Sequence, residues 1–237
     1  MQTKSNDLSL AKRLGYSLVA AAIAAGSLLI AAERFDHKVR DKFFQGFTGN
    51  PGALAEGMKI CEEILSENPK HAEALVWHGG GLLFQSRDYF IKGEREQGMA
   101  LFQKGVAEMD MAVELAPKSV GVRVPRAATL AASTHQMPPQ MAKPLIERSV
   151  RDYEATYEIQ KDYLDKLGDH PRGELLVGLA EGHYRMGNHD QAKIYFEELV
   201  KMGPKSGHLR EAKEYLETGK LSKPVQCVGC HVRTAQN

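Results

Sequence analysis

The most reactive side chains that stand close together lie at the end of the chain, in Cys227-Val228-Gly229-Cys230-His231, with six residues after them. Two thiols three positions apart on a turn, followed at once by an imidazole, admit several chemistries. In an oxidising compartment the pair can close a disulfide or act as a redox couple, although the strand-helix context of a thioredoxin-like site is missing around it. A structural zinc takes four ligands, and no second C-x-x-C exists in the sequence. The remaining cysteine, Cys61 in GMKICEEIL, falls at a core-facing helical position and reads as a small buried hydrophobe. No Ser-His-Asp order, Walker loop, dinucleotide fingerprint or HExxH occurs, and the carboxylates are spread along helix faces, nearly all of them as solvated surface. The chain therefore offers no catalytic residues and does not read as a hydrolase or a transferase.

C-x-x-C-H resembles the haem attachment site of c-type cytochromes. The resemblance implies one covalent haem c, with Cys227 and Cys230 each joined to a vinyl group by a thioether and His231 beneath the ring as proximal iron ligand. In that family the group is attached on the outer side of the bacterial inner membrane. The setting departs from small cytochromes in two respects. No Met or His follows His231, and the motif comes after a linker, Leu221-Ser222-Lys223-Pro224, outside any helical domain of its own. A haem on such a stub exposes a large apolar face, at about 25 cal/mol per Å2. It is expected to fold back against the helical array or to dock on a partner. His78, His135, Met137, His183 and Met186 are the candidates for a sixth ligand, unranked, and each also reads as ordinary core or surface.

The elements that must carry this tail are helical. In residues 173–204, Leu176, Leu179, Ala180 and His183 fall on one face of a 3.6-residue period, as do Ala192, Phe196 and Leu199 after a break at Gly187-Asn188. Small Ala180 and Ala192 permit close approach of the two helices, and Pro204 ends the second. This stretch is similar to one tetratricopeptide (TPR) unit, with Leu176 at the Trp position, Leu179-Ala180 at the Leu-Gly pair, and Ala192, Phe196 and Pro204 matching directly. Trp77, Gly81 and Phe84 repeat the first-helix pattern upstream. The same punctuation recurs as Asn68-Pro69-Lys70, Ala116-Pro117-Lys118 and Gly203-Pro204-Lys205. The spacing is irregular, so the units carry inserted turns, the segment around residues 87–98 among them.

Further helices are expected over residues 33–47, 51–67, 88–116 (with Tyr89, Ile91, Met99, Phe102, Val106, Met109 and Val113 as its stripe), 120–133, 143–167 and 208–216. Asn50 caps and Pro51 opens the second of these. Pro125 is placed in a first turn, Met109 and Met111 in the core, and Leu145, Val150, Tyr153, Tyr157, Ile159 and Tyr163 along the stripe of 143–167. The run Gly79-Gly80-Gly81 costs about 1 kcal/mol per residue relative to Ala. Close approach of a neighbouring helix or a ligand against bare backbone would offset that.

At the other end, Lys12-Arg13 precede an uncharged run over residues 14–32, closed by Glu33-Arg34. A spanning helix needs about 20 apolar residues, so the run reads either as an anchor, with Lys4, Lys12 and Arg13 kept in the cytoplasm, or as a signal peptide cleaved after Ala24 or Ala32. Either sends the bulk of the chain across the membrane. The formal net charge of +1 over 237 residues gives no bulk field for nucleic acid.

The sequence thus predicts an all-α, irregular TPR-like solenoid of helical hairpins over residues 51–218. A targeting or transmembrane segment (1–32) and a short amphipathic helix (33–50) precede it, and a linker with the CxxCH tail (219–237) follows it. The expected role is an exported, membrane-anchored protein with one covalent haem, for electron transfer or assembly of a redox complex. The alternative is a scaffold binding a protein partner in a groove lined by Glu174, Val177, Glu181, Tyr184 and Arg185, with the cysteine pair a disulfide. No small-molecule substrate is identified.

Overall fold

A computed structural model describes residues 34–224, apart from the side chain of Gln136. The expected targeting segment and Cys227, Cys230 and His231 lie outside the described residues. Contacts group the chain into two units, Met1–His37 and Lys38–Asn237.

The described residues form nine α-helices and no strand. They are α1 (Phe35–Phe47), α2 (Pro51–Glu67), α3 (Ala72–Lys92), α4 (Arg95–Leu115), α5 (Val120–Ser133), α6 (Pro139–Gln160), α7 (Asp169–Arg185), α8 (His189–Met202) and α9 (Leu209–Thr218), with single 3-10 turns at Thr134–Gln136, Lys161–Lys166 and Gly203–Ser206. Local chemistry sets the ends. Asn50 caps α2 by accepting from the Ala53 amide at 3.1 Å, with Pro51 at the first position, as expected. His71 caps α3 through Nδ1, 3.1 Å from the Ala74 amide.

Neighbours in sequence pack as hairpins: α3 with α4, α5 with α6, α7 with α8. The odd-numbered helices also touch one another. Phe43 of α1 lies 5.3 Å from Trp77 of α3 between ring centroids, α5 packs on both α3 and α7, and Tyr184 of α7 meets Tyr215 of α9 edge to face at 5.5 Å. Each hairpin therefore hides its apolar stripe against the next. Leu176, Val177, Ala180, Ala192, Phe196, Leu199, Ala212 and Tyr215 form one buried cluster across α7, α8 and α9.

Close approach of helices accounts for the glycine run. A Cβ on Gly79 would sit 2.6 Å from the carbonyl oxygen of Gly105 in α4 and 2.9 Å from Met109 Cγ, and one on Gly105 would meet the Gly79 carbonyl in return. The two backbones touch, so neither position admits a side chain. Gly81 faces Met58 and Phe43. Protein atoms, not a ligand, fill the space at both.

The middle of the unit is locked by buried charge. Asp152 of α6 is fully buried. It accepts from Arg123 Nη1 and Arg126 Nε of α5, each at 2.6 Å, and from Arg126 Nη2 at 2.9 Å. Arg126 Nη1 reaches on to Asp110 of α4 at 2.8 Å, and Arg148 closes on the same carboxylate at 3.0 Å.

Several expectations are corrected. The helix placed over 88–116 is two elements: α3 runs on to Lys92, Gly93 turns the chain at φ +80°, and α4 begins at Arg95. Ile91, 72% exposed, and Met111 are consequently outside the core, while Met109 is in it. The helix of 143–167 starts earlier, at Pro139, and tightens after Gln160, leaving Tyr163 exposed. Pro125 stands in the second turn of α5, not the first.

Two substitutions separate sterics from propensity. Gly79→Ala should destabilise by about 1–3 kcal/mol through the backbone clash. Gly80→Ala meets only Thr129 at 3.4 Å and should be neutral or stabilising by up to about 1 kcal/mol. Asp152→Ala, which leaves Arg123 without a carboxylate and Arg126 with Asp110 alone, should cost about 3 kcal/mol. Urea midpoints of the three variants check all of this.

Candidate functional site

The described part of the tail ends on an open cleft of about 240 Å3, lined by His135, Glu181, Tyr184 and Arg185 and by Leu221, Ser222, Lys223 and Pro224. Local bonds bring the tail there. Gly219 ends α9 in the left-handed region at φ 68°. Glu214 then receives the Ser222 amide at 2.5 Å and the Ser222 hydroxyl at 3.1 Å, and Leu221 packs against the cluster under α7 and α9. The expected linker is thus a strap held on the helices.

The opposite wall is the junction of α5 with α7. Arg185 near the end of α7 donates through Nη1 to the Ala131 carbonyl at 3.2 Å and through Nη2 to Thr134 Oγ1 at 2.7 Å. Thr134 in turn donates to the Ala131 carbonyl at 2.6 Å. These bonds fasten the 3-10 turn that carries His135. Its side chain is 16% exposed, and Nδ1 lies 4.0 Å from Glu181 Oε1, beyond hydrogen-bond length. Burial, and then the Arg185 guanidinium, lower the His135 pKa from 6.5 to about 4, so the ring is neutral at pH 7. Burial likewise lowers the pKa of Arg185, with Glu181 opposing.

Of the five residues expected along a groove, Glu181, Tyr184 and Arg185 do share this wall. Val177 does not: it is fully buried in the core cluster. Glu174 lies elsewhere on α7, with its carboxyl raised in pKa by burial while His170 and Arg40 act the other way. The sixth-ligand candidates are also dispersed. His78 is bonded to Glu108 Oε2 at 2.5 Å. His183 is buried and stacked on Tyr195 at 5.8 Å. Met137 packs on Ala142, Ile146 and Val150, and Met186 is partly exposed. Only His135 of the five lines the cleft. Cys61 is fully buried, as expected, and burial raises its thiol pKa to about 12, which makes it inert.

No protein-family model, no curated protein and no solved structure matches the chain. Among the described residues no group of three or more His, Cys, Asp and Glu is placed to hold a metal ion, and no helix is long and apolar enough to cross a membrane.

The depressed His135 pKa has a measurable sign. The unfolded chain takes up this proton near pH 6.5 and the folded chain only near 4, so stability is full above about 6.5 and falls as pH drops through that window. Discounted for the ring's partial contact with solvent, the loss is on the order of 1–2 kcal/mol. In a Cys227→Ala/Cys230→Ala background, His135→Gln should flatten the pH dependence of the urea midpoint by that amount. An unchanged slope would rule out His135 as its source.

Proposed function

We propose that this chain is an exported, membrane-anchored, TPR-like helical-repeat protein that carries one covalent haem c on its C-terminal tail and serves one-electron transfer or the assembly of a redox complex. The observation that carries the reading is Cys227-Val228-Gly229-Cys230-His231, two thiols and an imidazole at the spacing of haem attachment. The basic residues Lys12-Arg13 before an uncharged run support it independently, since they point to the compartment in which attachment takes place.

The described helices support the repeat part of the reading. Stacked hairpins with contacts between alternate helices are how such arrays bury a stripe that one hairpin cannot hide alone. The cleft at Pro224 supports the haem part, because its lining suits the group: an imidazole, the cations Arg185 and Lys223 for acidic substituents, and the apolar side chains of Leu221, Tyr184 and Pro224. Bound haem would supply reversible one-electron chemistry. The chain's own contribution is to hold it covalently, shield one face from water and present the other.

The competing reading, a scaffold whose cysteines form a disulfide, parts from this one in a single preparation. Full-length protein from a host with c-type maturation machinery should give a pyridine haemochrome band of the c type that survives acid-acetone extraction, and Cys227→Ala and Cys230→Ala should each shift or reduce it. A colourless wild-type protein whose two thiols resist alkylation until reduced would replace the haem reading with the disulfide one.

A further inference from the structure

We propose that the strap over residues 221–224 is a displaceable occupant of a docking notch on α7 and α9, and that an extended segment of a partner protein, with a leucine followed directly by Ser or Thr, takes its place. The inference uses the helices and the strap alone and does not depend on whether the tail carries haem.

The strap shows what the notch accepts. Leu221 packs against the same buried cluster as Tyr184 of α7 and Leu216 of α9. One residue further on, Glu214 of α9 receives the Ser222 amide at 2.5 Å and the Ser222 hydroxyl at 3.1 Å. Recognition thus takes an apolar side chain, then a backbone N–H and a hydroxyl from the next residue. A second chain can present the same three groups in the same order. Every residue but proline offers the amide, so selectivity lies in the leucine and the hydroxyl.

The strap is built to leave. Leu221 is half-buried, while Ser222, Lys223 and Pro224 are exposed, and both bonds to Glu214 are open to solvent. Segments with few buried apolar contacts and exposed hydrogen bonds open locally at small cost. Gly219, in the left-handed region at φ 68°, is the pivot between α9 and the strap.

The notch is built to stay. Tyr184 lies edge to face with Tyr215 at 5.5 Å and with His189 at 5.7 Å. The Tyr215 hydroxyl donates to the His189 carbonyl at 3.2 Å, and its ring packs on Phe196 at 4.4 Å. These contacts tie α7, α8 and α9 together without Leu221. A preformed site loses little to ordering when a segment binds.

Tethering sets the size of the effect. A strap joined to α9 through Gly219 and Lys220 faces the notch at an effective concentration on the order of 1 mM. For a free segment that binds the open notch with a Kd of about 100 μM, the closed strap weakens apparent binding about tenfold.

The test is isothermal titration of the full-length protein with a synthetic peptide of residues 219–224, Gly-Lys-Leu-Ser-Lys-Pro. Leu221→Ala, and Ser222→Pro, which removes both groups that Glu214 receives, should each bind the peptide about tenfold more tightly than wild type does. Ser222→Pro lies outside the helices and keeps the test decisive should Leu221→Ala fold poorly. Glu214→Ala added to Ser222→Pro should undo the gain, and a peptide with alanine for its leucine should not bind. No binding to either opened variant, equal affinity of wild type and both, or binding that ignores the peptide's leucine would each overturn the proposal. A wild-type dimer in sedimentation that Ser222→Pro turns into a monomer would make the occupant a second copy's strap and overturn it as well. None of these outcomes bears on the haemochrome band, so the two readings fail separately.

Discussion

Asp152 is the constraint on which the rest of the structure depends. A carboxylate with no exposure cannot be charged without partners, because taking it out of water costs several kcal/mol even after relaxation. Arg123 and Arg126 supply three hydrogen bonds, and both come from α5. The arrangement therefore admits one rotation of α5 against α6. Arg126 also bonds Asp110 on α4, so the same guanidinium sets the hairpin against the one before it. A buried pair of this kind need not add net stability over a well-packed apolar core. Its contribution here is positional: every slipped register leaves a bare charge in the interior.

That position is transmitted to the cleft. The last turn of α5 runs into the 3-10 turn that carries His135, and the Ala131 carbonyl and Thr134 hydroxyl of that end accept Arg185 from α7. Asp152 fixes α5 on one side and Arg185 ties it to α7 on the other. The wall of the cleft is thus built from two helices of adjacent hairpins, each held by charge-assisted bonds, which are about twice as strong as neutral ones. The tail is held differently, by one carboxylate, Glu214, and one apolar side chain, Leu221. Both of Glu214's bonds are exposed to solvent, so the strap is the weaker half of the site.

Much of the helical order was legible, and for identifiable reasons. The Pro-Lys echo at Pro69, Pro117 and Pro204 marks the junctions from α2 to α3, α4 to α5 and α8 to α9. Each is the step from one hairpin to the next, where a residue that cannot donate is tolerated. The turns within hairpins were half legible. Gly187 and Gly93 both adopt φ near +80°, and both end an odd-numbered helix. Only the first was read, because Tyr89 and Ile91 continue an apolar period through the second. Periodicity counts apolar residues whether or not anything covers them, and Ile91 is exposed. Lys92-Gly93, a basic last turn with glycine after it, was the better signal.

The sequence offers the CxxCH spacing as a candidate and no sign of the cleft. Thiol spacing is a local property, so the CxxCH tail could be read from the chain alone. The cleft is not local. His135 lies 46 residues before Glu181 in the sequence and reaches it only because α5 and α7 are stacked, skipping the helix between them. Nothing in the sequence near His135 distinguishes it from His78 or His183, which have comparable apolar neighbours. What separates them is the strap: residues 221–224, tied down through Ser222 to Glu214, line the same cleft as His135.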